Sequence, residues 1–339
     1  MPDPALETLL LALAENGAPP VPQRALFLGA QPHPALRGWP DLTGWQPLKP
    51  LADAWDSAGF HRTDRPQGAW PLILLLPGKS RDEIFSGFAN AWDLLEPGGR
   101  LIASLPNTAG AARFEKDLAN ATGGVTSVQK HKCRAFTAVK APDAPACLPA
   151  EWKSAGERKL IPNTEFLVEA GVFSAGRIDP GSQLLADALP ASLHGLVADL
   201  GAGWGFLSHA VARRCRGVRR IDLFEADARA LDCASLNLAR SPVDCAFHWH
   251  DVTRGLPDRY DAIVMNPPFH TGQATDPDLG RAFLKTAAAA LKPGAALWLV
   301  ANRQLPYEAV LDLAGLSWRI LSHDPTYKVI HAQAPRTFR

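Results

Sequence analysis

The chain carries one pattern written twice, and this duplication restricts its fold more than any other feature. In the second half, AIVMNPPF (262–269) is an apolar run stopped by prolines. A helical run, AFLKTAAAALKPG (282–294), follows it, and then a second apolar run, AALWLVAN (295–302). In the first half LILLLPG (72–78) precedes FANAWDLLEPGG (88–99) and RLIASLPN (100–107). Both copies read as strand, proline turn, helix closed by a Pro-Gly stop, strand and a final Asn. ALFLGA (25–30) and VADLGAG (197–203) extend the match to an earlier strand. Apolar strands of about four to six residues alternating with helices indicate βαβ units around a parallel sheet covered on both faces. The expected fold class is α/β, as two tandem doubly wound, Rossmann-like domains.

APDAPACLPA (141–150) has three prolines and one charge, and it is the natural linker. It divides the chain into a first domain at 1–145 and a second at 151–339. Basic and acidic residues number 14 and 14 up to residue 150 and 21 and 20 beyond it, so neither half is a polybasic module. Any nucleic-acid contact must use local clusters. ARRCRGVRR (212–220) and QKHKCR (129–134) are two candidates, the latter with Lys130, Lys132 and Arg134. A solvated helix end explains 213–220 equally well.

The five cysteines, Cys133, Cys147, Cys215, Cys233 and Cys245, form no C-x-x-C pair, which speaks against a disulfide framework or structural zinc. MPDPALETLLLALA carries Asp3 and Glu7 where a signal peptide carries basic residues, so it reads as a first amphipathic helix. No apolar run approaches the roughly 18 residues of a membrane span. A soluble, cytoplasmic chain is the expectation.

LVADLGAGWGFLSHAVARR (196–214) is a strand, a glycine-rich turn and a helix. Gly201, Gly203 and Gly205 permit a tight turn, and the helix N-terminus offers unpaired amides. Position 206 is Phe, so the G-x-G-x-x-G order of a dinucleotide fingerprint is not met. Asp199 before the turn disfavours a pyrophosphate and suits the amine of an amino-acid-bearing cofactor such as S-adenosylmethionine. RIDLFEAD (220–227) places Glu225 twenty residues past Gly205, where a carboxylate can accept both hydroxyls of a ribose. CAFHWHD (245–251) ends in Asp251, placed to accept from an adenine amino group. His248 and His250 beside Asp251 alternate along a strand without further ligands, so no metal is expected. FLGAQPHP (27–34) has one glycine and then prolines, and the cofactor site of the first half is expected to be lost.

Asn266-Pro267-Pro268-Phe269 follows YDAIVM at the carboxyl end of a strand, where open α/β sheets bind ligands. An exocyclic amine on a base is a weak nucleophile because its lone pair is delocalised into the ring. Two acceptors aimed at its N–H groups, the Asn266 side-chain oxygen and the Pro267 carbonyl, favour the tetrahedral geometry it needs to attack a methyl sulfonium. The prolines stiffen the turn, and Phe269 can stack on a presented base.

DLGAGWG (199–205), FEAD (224–227) and NPPF (266–269) resemble motifs of class I S-adenosylmethionine-dependent methyltransferases acting on planar exocyclic or amide nitrogens. GVFSAGRIDPGSQLL (171–185), NPPFHTG (266–272) and VANRQLPY (300–307) are similar to the 16S ribosomal RNA guanine-N2 methyltransferases of the RsmC type and their large-subunit relatives. The likeness covers 160–335 by motif and the first half by architecture alone. It implies that the C-terminal half binds the cofactor and performs transfer, while a degenerate N-terminal methyltransferase-like half helps it fold and holds RNA. It further implies that Ser182 and Gln183 border S-adenosylmethionine, and that Asp199, Gly201, Ala202, Gly203, Gly205, Glu225, Ala226, Asp251, Val252 and Asn266 line it. Asn266, Pro267 and Phe269 would carry the chemistry. Ribosomal RNA or the small ribosomal subunit would be the partner of a monomeric enzyme. Transfer to another planar nitrogen (23S guanine, adenine N6, a protein glutamine) and a non-catalytic RNA-binding assembly role are the alternatives.

Overall fold

The computed structural model describes residues 3–15, 24–268, 270–271, 274–275 and 277–336. The chain divides into two compact units, Met1–Glu157 and Arg158–Arg339. The division falls after Glu157 and not in the proline-rich stretch at 141–150, because that stretch stays on the first unit. Trp92 donates its indole N–H to Pro145 O at 2.9 Å, Leu148 is buried in the first unit's core, and the Trp152 ring lies 4.5 Å from that of Phe85.

The first unit holds α1 (Pro4–Glu15), β1 (Ala25–Leu28), β2 (Leu42–Trp45), α2 (Lys49–Ser57), β3 (His61–Arg62), β4 (Trp70–Leu75) and α3 (Arg81–Asp93). It continues through β5 (Leu95–Pro106), α4 (Ala111–Thr122), β6 (Thr126–Lys130), β7 (Cys133–Val139) and α5 (Ala150–Ala155). The second unit opens with the short strands β8 (Lys159–Leu160) and β9 (Leu167–Val168), then α6 (Pro180–Ala188), β10 (His194–Leu200), α7 (Phe206–Arg214), β11 (Gly217–Glu225), α8 (Ala228–Asn237) and β12 (Asp244–Trp249). After these come β13 (Tyr260–Met265), β14 (His270–Thr271), β15 (Ala274–Thr275), α9 (Pro277–Ala290), β16 (Leu291–Asn302), α10 (Glu308–Leu313), β17 (Ser317–His323) and β18 (Tyr327–Gln333).

Each unit is built on a seven-stranded sheet of one topology, β3-β2-β1-β4-β5-β7-β6 in the first and β12-β11-β10-β13-β16-β18-β17 in the second. Five strands run parallel, and a hairpin adds two antiparallel strands at one side. The purely parallel sheet expected from the βαβ rhythm is therefore extended by β6–β7 and β17–β18, whose short turns need no crossover helix. Alternate residues enter opposite cores, as strand pleating demands. Ala198, Leu200, Ile263 and Met265 pack on one face of the second sheet, and Val197, Ala262 and Val264 on the other.

The repeat extends to irregularities. Trp70 pairs with Leu95 but Leu72 with Arg100, and Tyr260 pairs with Leu291 but Ala262 with Ala296. The expected Pro-Gly helix stops lie inside these skips: α3 ends at Asp93 and α9 at Ala290, before the Pro-Gly pairs. Gly98 (φ 81°) and Gly294 (φ 75°) make the bulge, and their amides are taken up by Lys140 O and Pro335 O on the neighbouring strand's extension.

Candidate active site

The end of β10 turns through Gly201, Gly203 and Gly205, with φ of 71°, 54° and 89°. These left-handed conformations are why glycine recurs there. Gly201 and Ala202 both donate to Phe224 O at the end of β11, which pins the turn to its neighbour strand. Gly205 is the N-cap of α7 and has no side chain to serve the helix's first amides. Asp199 takes that role: its Oδ2 accepts from the Ser208 amide (3.0 Å) and hydroxyl (2.7 Å). Asp199 is 0% exposed, and burial pushes its carboxyl up to about 7, against the pull of Ser208 and with a smaller push from Glu225. Its Oδ1 is buried without a hydrogen-bond partner among the described residues.

Glu225 is half-buried at the end of β11 and bridges the glycine turn to its own loop. Its Oε2 accepts from the Gly203 amide (2.8 Å) and its Oε1 from that of Asp227 (2.9 Å). Burial still pushes this carboxyl above its usual range. Asp251 closes a turn after β12 by accepting from Thr253 N (3.0 Å) and Thr253 Oγ1 (2.6 Å). Val252 is buried in the core, and the carbonyl of Ala226 takes the Trp249 indole at 2.8 Å.

At the end of β13, Asn266 Nδ2 donates to Asp179 Oδ2 (2.9 Å) and Ser182 Oγ (2.8 Å), both at the start of α6. One cavity is lined by Phe173, Asp179, Ser182, Asn266 and the turn from Gly201 to Trp204. The structure thus brings Ser182, Gly201, Ala202, Gly203 and Asn266 together, with Glu225 joined through the Gly203 amide. Asp251, Ala226 and Val252 sit at the next strand ends, outside that lining. Pro267 is buried beside Asn266, and Phe269 lies outside the described residues.

Two further residues stand outside that lining. Gln183 is exposed, donates to Asp187 Oδ1 at 2.9 Å and lines a neighbouring cavity with Phe166, Phe206 and His209. Consecutive helical residues point about 100° apart, so Ser182 faces the glycine-turn cavity and Gln183 does not. Asp199 is enclosed beneath the turn and committed to α7, instead of presenting a free carboxylate in the cavity.

Phe173 and Asp179 escaped the sequence reading. Phe173 is 61% exposed at the cavity, and its carbonyl accepts the Trp204 indole N–H at 3.1 Å. Trp204 itself is buried against Phe166, with ring centroids 5.0 Å apart, and so anchors the 166–173 segment beside the glycine turn. Three of the five arginines at 213–220 are engaged within the fold, and Arg216 and Arg219 are exposed. Arg214 serves the last carbonyls of α6 (Ala186, Asp187, Leu189), Arg213 faces Glu165, and Arg220 pairs with Asp222. His248 stacks on Phe224 and His250 bonds Gly255 O; among the described residues no group of three or more His, Cys, Asp or Glu is placed to hold a metal. No helix among the described residues is long and apolar enough to cross a membrane.

Residues 163–331 match the family model of the methyltransferase small domain. With the sheet order and the glycine-turn cavity, this makes the chain a methyltransferase. The ribosomal RNA small subunit methyltransferase C of Pseudomonas aeruginosa (strain LESB58) is 32% identical over 275 residues, covering 80% of this chain and 81% of the relative. That of Psychromonas ingrahamii is 28% identical over 285 residues, covering 83% and 81%. The solved T. thermophilus 16S rRNA N2 G1207 methyltransferase (RsmC), in complex with AdoMet and guanosine, matches with a TM-score of 0.80 at 27% identity over 98% of this chain and 92% of that one. The chain belongs to the ribosomal RNA small subunit methyltransferase C family.

Proposed function

We propose that this enzyme transfers a methyl group from S-adenosylmethionine to the exocyclic N2-amino group of a guanine in 16S ribosomal RNA. The observation that carries this reading is the placement of Asn266, at the end of β13, in one cavity with the glycine turn. The names of the relatives and the guanosine in complex with the solved neighbour support it.

The residues fit the cofactor. Open space lies beside Gly203, Glu225 offers two carboxylate oxygens at the turn, and the buried, unpartnered Asp199 Oδ1 leaves an acceptor for a bridging water beneath it. When bound, S-adenosylmethionine supplies an electrophilic methyl group on a positive sulfur. The chain's own residues then do three things. Asn266 Oδ1 and the Pro267 carbonyl accept the two N–H groups of the guanine amine and favour its pyramidal form. The proline turn holds those acceptors with little freedom left to lose. Phe173, exposed at the mouth, offers a stacking surface to a base.

In this reading the first unit is a degenerate copy without a cofactor site. Gly29 and Ala30 repeat the bonds of Gly201 and Ala202, both donating to Trp45 O, but the chain beyond them differs. Gln46 stands where Glu225 does and is buried, donating to Ala30 O at 2.9 Å. A three-residue turn of helix, Pro34–Leu36, replaces α7, and Leu76-Pro77-Gly78 replaces Asn266-Pro267-Pro268. RNA phosphates meet this unit at the β6–β7 hairpin, where Lys130 and Lys132 are exposed while Arg134 pairs with Glu115; the left-handed His131 (φ 53°) and Lys132 (φ 59°) are what its two-residue turn requires. The enzyme works as a cytoplasmic monomer on ribosomal RNA or the small subunit.

The test is mass analysis of nucleosides from 16S RNA, free and in small subunits, after incubation with the purified protein and S-adenosylmethionine. A new N2-methylguanosine is the expected product. Methylation confined to adenosine, 23S RNA or protein contradicts the proposal.

A further inference from the structure

In the motif DPGS (179–182) at the start of α6, each residue has a physical reason. Asp179 is the N-cap and accepts the Ser182 amide at 2.7 Å. Pro180 opens the helix, where its missing N–H leaves no bond unmade. At Gly181 a Cβ would lie 3.0 Å from the Tyr327 ring and 3.1 Å from Asp179 Oδ2, so glycine is what lets ring and carboxylate come together. Ser182 sends its hydroxyl oxygen to Asn266.

Capping explains only one of these bonds, since Ser, Thr or Asn would cap as well. Yet the same Asp179 Oδ2 also receives Nδ2 of Asn266, 87 residues away in the chain. We infer that Asp179 is the positioning residue of the transfer reaction, fixing which end of the Asn266 amide faces the substrate. The inference rests on the proposal that the site methylates an exocyclic amine. A carboxylate oxygen flanked by two N–H donors accepts and does not donate. The Asn266 NH2 must therefore turn toward Asp179, which aims Oδ1 away from it. A hydroxyl donates and accepts alike, so Ser182 alone leaves the amide two orientations. In the wrong one Asn266 presents a donor to an amine that itself needs an acceptor. The bond to Asp179 also polarises the amide and strengthens Oδ1 as an acceptor.

The test uses the full-length protein with two variants. Asp179→Ser keeps a good N-cap but loses the obligate acceptor. Its unfolding midpoint and affinity for S-adenosylmethionine stay near wild type, while kcat and kcat/KM fall together by roughly tenfold or more. Asp179→Asn retains an acceptor oxygen for both N–H donors and keeps kcat within about threefold of wild type. A second readout needs no turnover. In spectra of 15N-labelled protein the Asn266 side-chain NH2 pair, identified by its loss in Asn266→Ala, exchanges slowly with solvent in wild type and Asp179→Asn and faster in Asp179→Ser. Unchanged kcat or unchanged exchange in Asp179→Ser overturns the inference, as does an Asp179→Asn enzyme as slow as Asp179→Ser. A wild-type protein that holds its Asn266 pair but leaves guanine unmethylated contradicts the proposed function and not the positioning role.

Discussion

At the scale of single residues, Asp199 couples the glycine turn to pH. Its carboxyl is held up to about 7 by burial, so the folded chain binds this proton more tightly than the unfolded chain does. The stability it contributes is full below about pH 4 and is lost as pH rises through about 7, a change on the order of 4 kcal/mol. Asp199→Asn should flatten that slope, and urea midpoints between pH 5 and 8 would measure it. An identical pH profile for wild type and variant would contradict the assignment. This residue also marks a limit of what the sequence discloses. Its position before a glycine turn was readable, but its enclosure was not, because the partner Ser208 reaches it only once the turn has closed. Asp179 was hidden for a related reason: its second bond spans 87 residues and forms only when α6 docks on the end of β13. Gln183 stands outside the lining that holds Ser182 because adjacency in sequence is divergence on a helix.

At the scale of elements, two glycines of the turn, Gly203 and Gly205, do different things. A Cβ at Gly205 would meet Ala234 and Leu238 at 3.2 and 3.3 Å, whereas one at Gly203 would meet nothing within 4 Å. Gly205→Ala should therefore destabilise the fold by about 1–3 kcal/mol. Gly203→Ala should cost only the strain of its φ, about 1–2 kcal/mol, while weakening S-adenosylmethionine binding because it fills space beside the turn. Paired unfolding and calorimetric titrations separate the two effects, and equal loss of affinity per unit of stability would deny Gly203 its role. The β6–β7 hairpin gives a second element-scale prediction. Lys130→Glu with Lys132→Glu should lower retention on 16S RNA and reduce its salt slope by about 1 to 2. A salt dependence unmoved by the double variant would place the phosphate contact elsewhere. These elements were legible to different degrees. The central parallel strands β4 and β13 announced themselves as apolar runs, whereas the parallel edge strand β3, only His61–Arg62, and β17, SWRILSH, with its exposed, mixed pattern, take their places from pairing with β2 and β18. The Pro-Gly pairs misled because a bulged strand entry and a helix stop use the same residues.

At the scale of the whole molecule, the duplication was written in the sequence more fully than the site was. Strand order, register skips and the Gly-Ala bonds at the first strand's end recur in both units, since these depend on local pattern and backbone geometry. The copies differ at the strand ends, Gln46 against Glu225 and Leu76 against Asn266, and in the short turn Pro34–Leu36 that stands in the place of α7. One S-adenosylmethionine per chain is the expected stoichiometry, and calorimetry giving two would contradict the loss of the first site. The central claim is that Asn266 accepts from the attacking amine in the transition state. Single-turnover transfer to guanine by wild type and Asn266→Ala, with S-adenosylmethionine affinity measured on the same samples, tests it most directly. The account predicts a rate lower by about 100-fold or more with affinity within about threefold. An unchanged rate, or a loss explained by affinity alone, would contradict it.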